Sequence, residues 1–242
     1  MNDVFPSSET YDLDPRDLAD LPDAEKVSVK FDASVVVLLG DERKGINDAL
    51  LKGRSAVETA AAQNIPFIPV QIVFRRRTAR FDVLSPFCKV FRRRFISYGT
   101  QIYHINPREI RQKRLERNIR TVENAFNWKK FHWTPEQRRK RLNDLRASVA
   151  ENGFDDRYPL AICLCRSFGI KDTLHEGHHR MLVCLSLGVA RVAVKFCAAS
   201  HAPRFLTPLL KPLCAAVQFF KKRNFRKAEK ENENYFERRN NA

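Results

Sequence analysis

Leu174-His175-Glu176-Gly177-His178-His179-Arg180 reads as a strand end turning directly into a helix, and this corner decides the fold. An apolar run precedes it at residues 160–164, and an amphipathic stretch follows at residues 181–187, closed by Gly188. A glycine at the bend lets the backbone approach a ligand without a Cβ in the way. The helix that starts there has N–H groups without intrahelical acceptors at its positive dipole end, which suits an anion. His178, His179 and Arg180 add donors of the kind that grip phosphate oxygens. The plain alternative is an ordinary strand-to-helix turn with a polar first turn.

The 242 residues suffice for one large or two small domains, and 43% apolar content predicts a globular chain. No run of about 18 apolar residues occurs, so no membrane-spanning helix is expected. Residues 1–25 lack a basic-then-apolar pattern, which argues against a secretory signal. Cys88, Cys163, Cys165, Cys184, Cys197 and Cys214 have no zinc-type spacing and are read as reduced, mostly buried side chains in a cytoplasmic protein; no metal is assigned to them. The net charge of +16 is uneven. Asp3, Glu9, Asp12, Asp14, Asp17, Asp20, Asp23 and Glu25 face a single early base, Arg16, so the rest is more basic still. Such a surface suits nucleic acid, anionic lipid or an acidic glycan.

Along the chain, residues 1–26 read as an acidic, disordered leader. Residues 27–99 read as a small β-α-β-like extension. A buried strand is expected at residues 33–39, and Ile46, Ala49, Leu50, Val57 and Ala60 recur at helical spacing. A second strand is expected at residues 67–74, placed at a sheet edge by Pro69. The triplets Arg75-Arg76-Arg77 and Arg92-Arg93-Arg94 are candidate phosphate contacts or solvated ends. A short strand at residues 102–105 leads into Asn106-Pro107-Arg108-Glu109, which opens a basic helix. Thr134 and Pro135 then start a helix with Leu142, Leu145 and Val149 on its buried face and Gly153 at its end. A strand at residues 159–164, a turn around Gly169, a short strand at Thr173-Leu174, the Gly177 corner, a helix to Leu187 and a strand at residues 192–196 complete the order.

That succession resembles the ParB/sulfiredoxin-like superfamily, which includes the ParB N-terminal domain, sulfiredoxin and a free-serine kinase. The residues that carry the likeness are Ile105-Asn106-Pro107-Arg108-Glu109, Ser148-Val149-Ala150-Glu151-Asn152-Gly153, Pro159-Leu160-Ala161-Ile162, Glu176-Gly177-His178-His179-Arg180 and Leu187-Gly188, within residues 100–198. The resemblance implies an α+β fold, a mixed sheet with flanking helices, preceded by the β-α-β-like unit and followed by a basic helical tail at residues 199–242. It implies a seat for nucleotide phosphates (ATP, ADP or CTP, with Mg2+) at Gly177, His178, His179 and Arg180. By position it makes Arg108 a second phosphate contact and Glu109 a candidate general base for an alcohol nucleophile. Glu176 stands where the family has an aspartate, as a holder of metal-bound water, an orienter of His179 or a helix cap. His178 replaces the sulfiredoxin cysteine, which argues against sulfinic-acid reduction. Gly-His-His-Arg replaces the Gly-Glu-Arg-Arg of partition proteins, and no helix-turn-helix pattern follows, which argues against chromosome partition. No clustered carboxylates support a nuclease.

The leading expectation is therefore a nucleotide-binding protein that phosphorylates a hydroxyl substrate. One rival is a non-enzymatic nucleic-acid-binding protein. Another is a peripheral membrane factor of a surface-polysaccharide pathway. The last rests on the tail, where Leu206, Leu209, Leu210, Leu213, Val217 and Phe220 share a helical face beside Lys221, Lys222 and Arg223.

Overall fold

The computed structural model describes residues 4–24, 32–75, 96–113, 115, 135–165 and 171–199. In chain order the elements are β1 (Val4–Leu13), α1 (Arg16–Ala19), β2 (Val36–Leu39), β3 (Ala49–Lys52), α2 (Arg54–Ala62) and β4 (Ile68–Arg75). They continue with β5 (Ile96–Tyr98), β6 (Tyr103–Ile105), α3 (Pro107–Gln112), α4 (Pro135–Asn152), β7 (Leu160–Cys165), β8 (Lys171–Glu176), α5 (His178–Ser186) and β9 (Val192–Ala199). Among the described residues, nine strands form one mixed sheet in the order β3-β2-β4-β1-β6-β9-β7-β8, with β5 on β9. The architecture is α+β.

Alternation decides which side chains meet the helices, because successive strand residues face opposite ways. On β2, Val37 and Leu39 join a core with Val70, Ile72 and Phe74 of β4, Val192, Val194 and Phe196 of β9, and Leu160 and Ile162 of β7. Leu18 of α1, Val57 of α2, Ile110 of α3, Leu142 and Val149 of α4, and Met181 to Cys184 of α5 close over that face. Val36, Leu38 and Val73 face the other way, as do Ile96, Cys163 and Cys197. One sheet and one core thus run across the boundary drawn at residue 99.

The acidic leader is corrected outright. Residues 4–13 are an interior strand, antiparallel to β4 over most of its length and touching β6 at Leu13. Its composition misled because Asp14, Asp17 and Asp23 each have a partner far along the chain. Asp14 pairs with Arg16 and Arg191, Asp17 lies beside His104 and Arg191, and Asp23 meets Arg54. Tyr11 and Leu13 supply the buried half of the alternation.

Two further expectations change. The apolar residues at 46–60 are not one helix. Ala49–Lys52 pairs antiparallel with β2, and α2 begins only after Gly53, whose φ of +100° breaks the run. Pro69 does not place β4 at an edge, since β4 lies between parallel β2 and antiparallel β1. Its missing N–H is harmless there, because β2 pairing starts only at Gln71. The helix expected from Pro135 is present and ends at Gly153, φ +74°. So are the strands and helix around Gly177, although β8 is longer than its two expected residues. Thr134, Arg76, Arg77, Arg92, Arg93, Arg94, the turn at Gly169 and the whole tail with Lys221, Lys222 and Arg223 lie outside the described residues.

A break between β5 and β6 fixes the two halves of the sheet to each other. Both strands run along one edge of β9, and the gap between them is plugged by the Asp48 carboxylate. Asp48, 1% exposed, accepts from Gly40 N at 2.7 Å, Thr100 N at 3.0 Å, Gln101 N at 3.3 Å and Tyr103 Oη at 2.8 Å. Burial, with Asp48 alongside, holds the Tyr103 phenol well above its usual pKa, so it stays a donor. Asp48→Ala strands these donors without an acceptor, and a loss of about 3 kcal/mol or more is expected. Thermal unfolding measures it, as a Tm lower by roughly 6–12 °C.

Candidate functional site

The corner at Gly177 forms as its sequence requires. Register pairs Ala161 of β7 with Glu176, the last residue of β8, so the bend sits against the start of β7. Gly177 has φ +90°, and a Cβ there would fall on Leu160 Cδ2 and lie 3.5 Å from Arg180 Nη2. Glycine is demanded twice, by conformation and by space. Met181 N donates to Gly177 O at 2.9 Å and closes the first turn of α5. The preceding amides belong to the helix end that has no intrahelical acceptors.

Arg180 is half-buried beneath this turn. Its Nη2 approaches the Pro159 carbonyl at 3.4 Å, a long contact, and its Nη1 is buried with no hydrogen-bond partner. Desolvation pulls its pKa down from the usual arginine value, Glu176, Cys184 and Asp155 opposing. A buried guanidinium nitrogen short of an acceptor is costly on its own. Asp155 does not satisfy it, because Arg157 takes both Asp155 oxygens at 2.9 Å. Arg180 Nη1 is thus a buried donor left without an acceptor at the corner.

The other expected residues are spread around this point. His178 and His179 stand half-buried in the first turn. Glu176 is exposed, and its Oε1 lies 3.8 Å from His175 Nε2. Arg108 is exposed in the first turn of α3, where Asn106 Oδ1 caps its N–H at 3.0 Å. Glu109 follows it on the inner side of α3, and α3 packs against α5. Glu109 is 5% exposed, and its Oε1 accepts from Asp12 N at 2.9 Å and sits 3.4 Å from Lys113 Nζ. Its Oε2 is buried with no partner. Burial, only partly offset by the Asp12 amide and Lys113, pushes its pKa up to about 7. Such a carboxyl exchanges its proton near neutrality. The structure thus puts the carboxyl and the arginine on two packed helices, while Glu109's own polar contacts run to β1 and Lys113.

Two clusters escaped sequence reading. Asp172, fully buried, accepts from Tyr11 Oη at 2.7 Å and from Ser8 N at 3.1 Å. His104 lies between Asp17 and Asp156. Both depend on β1 and the α1 turn, which composition alone had assigned to disorder. Alternation of Tyr11 and Leu13 with polar neighbours was the one usable signal. Among the described residues, no three or more His, Cys, Asp or Glu side chains come together in a way that would hold a metal ion. Among them also, no helix is long and apolar enough to cross a membrane. No family model matches the chain, and neither a curated protein nor a solved structure is significantly similar to it.

Two stability measurements check this geometry. Gly177→Ala forces a side chain into the left-handed region and onto Leu160, for an expected loss of about 2–4 kcal/mol by denaturant unfolding. Glu109, with a folded pKa above its ordinary 4.5, contributes stability that is full below pH 4.5 and is lost as pH rises through about 7. The shift corresponds to about 3 kcal/mol, and Glu109→Gln is expected to remove that part of the pH dependence.

Proposed function

We propose that this chain binds a nucleotide at residues 177–180 and transfers a phosphoryl group from it to a hydroxyl, on a fold of the ParB/sulfiredoxin-like type. One observation carries the reading. Arg180 Nη1 is buried without an acceptor at the first turn of a helix opened by a left-handed glycine. A phosphate oxygen meets both that donor and the helix amides. Further support comes from the order of helix, strand, strand, glycine corner, helix and strand over residues 135–199.

In this reading the nucleotide is the phosphoryl donor, and Mg2+ on its phosphates would neutralise part of their charge. The chain's own groups do the rest. Arg180 and the amides of the first turn of α5 hold the phosphates, with His178 or His179 as a further donor. Exposed Arg108 reaches the outer oxygens. Glu109 Oε2 takes the proton of the acceptor hydroxyl, and with a pKa of about 7 it is substantially ionised at neutral pH.

Isothermal calorimetry with ATP, ADP, CTP and GTP in the presence of magnesium tests the proposal. At least one nucleotide is expected to bind, and Arg180→Ala to weaken it about tenfold or more, as for loss of a charge-assisted hydrogen bond. Glu109→Gln should keep that affinity while abolishing turnover. The reading is overturned if no nucleotide binds at about 1 mM. Unchanged binding in both Arg180→Ala and His179→Ala would place the site elsewhere.

A further inference from the structure

His104 of β6 joins two segments that lie far apart in sequence. Its Nδ1 is 3.1 Å from both oxygens of Asp17 on α1, and its Nε2 is 3.1 Å from Asp156 Oδ2 in the turn between α4 and β7. A neutral imidazole carries one N–H, whereas two carboxylates call for two. The arrangement therefore requires the imidazolium. When the proton leaves, one ring nitrogen must present a lone pair to a carboxylate.

The surroundings decide which carboxylate lets go. Asp17 is nearly buried and also accepts from His104 N at 2.6 Å, with Arg191 Nη2 at 3.6 Å. Arg191 in turn meets Asp14 at 3.0 Å, Arg16 meets Asp14 at 2.7 Å, and Asp14 N donates to His104 O at 3.0 Å. Asp156 has nothing comparable. Its side chain is 57% exposed, and His104 is its polar partner. The charged neighbours on its own turn, Asp155 and Arg157, are occupied with each other.

The segment so anchored borders the Arg180 corner. It leaves α4 at Gly153, is packed on the core by Phe154, turns through a Tyr158 N to Asp155 O bond of 3.1 Å, and ends at the Pro159 carbonyl beside Arg180. We propose that His104 is a proton-operated latch: as the imidazolium it pins Asp156 and holds the 153–159 turn in place, and on losing its proton it keeps Asp17 and releases the turn. The latch does not depend on what the corner binds.

The sign follows from the hydrogen bonds. Asp17 first, against desolvation and with Asp156 helping, raises the His104 pKa from its ordinary 6.5. The latch is thus fully engaged below pH 6.5 and lost as pH climbs through the elevated value.

Hydrogen–deuterium exchange on the full chain reads the latch directly, at about pH 6 and about pH 9 after correction for intrinsic rates. Protection of the Arg157 and Tyr158 amides is expected to fall about tenfold at the higher pH, while β6 and β9 keep theirs. Asp156→Ala truncates an exposed side chain and is expected to fold. It should show low protection at both values and no pH response. His104→Gln should also respond flatly, and if it fails to fold, Asp156→Ala still decides. A pH-independent wild-type turn, or a response that survives in Asp156→Ala, overturns the latch.

Discussion

The stretch of β1 that β6 does not reach is the constraint on which the rest of the molecule depends. β6 pairs with β1 only at Leu13, so the part-buried Ser8 and Asp12 amides meet no strand on that side. Buried amides must find acceptors. Two carboxylates provide them, Asp172 for Ser8 N and Glu109 for Asp12 N. The sheet therefore curls until β8, at the far end of the strand order, stands against β1 through side chains rather than a ladder. Tyr11 Oη reinforces the junction and is held protonated by burial and by Asp172. The β1 bulge between Pro6 and Thr10 is the irregularity that brings Ser8 to Asp172.

This closure links architecture to chemistry. Glu109 seals an edge with one oxygen and keeps the other without a partner, and the burial that makes it a good seal also moves its pKa toward neutrality. Arg180 shows the same combination, with one nitrogen near a backbone carbonyl and another buried and unmet. The buried atoms left short of partners among the described residues are these two and Thr173 Oγ1. Unsatisfied polar atoms in an otherwise paired interior are where strain and function tend to coincide.

Local signals were legible and distant ones were not. The Gly177 corner, the Asn106 cap with Pro107 behind it, and the helix ending at Gly153 each depend on residues within a few positions. Sequence spacing reads such features well. The leader failed because its acids are balanced by Arg191, His104 and Arg54, partners that no window around residue 15 contains. Ala49–Lys52 failed for a related reason, since its apolar spacing fits a helix face until pairing with β2 is known. Of the candidate site, the anion corner and Glu109 were visible as types of residue in a pattern. The burial that gives Arg180 and Glu109 their chemistry was not, because it is made by Leu160, Pro159 and Asp12 from other elements.

The position of β1 also governs how the chain comes into being. Ser8 and Asp172 are 164 residues apart, and Asp12 and Glu109 are 97 apart. β1 cannot complete its contacts with α3 and β8 until almost every other described element has been translated. β4 is its earliest lasting neighbour, and β8 its latest. Long-range pairing of this kind slows folding and leaves apolar strands exposed meanwhile. The acids that crowd residues 9–23 keep that waiting segment hydrated and charged during vectorial synthesis, before His104 and Arg191 emerge to neutralise it.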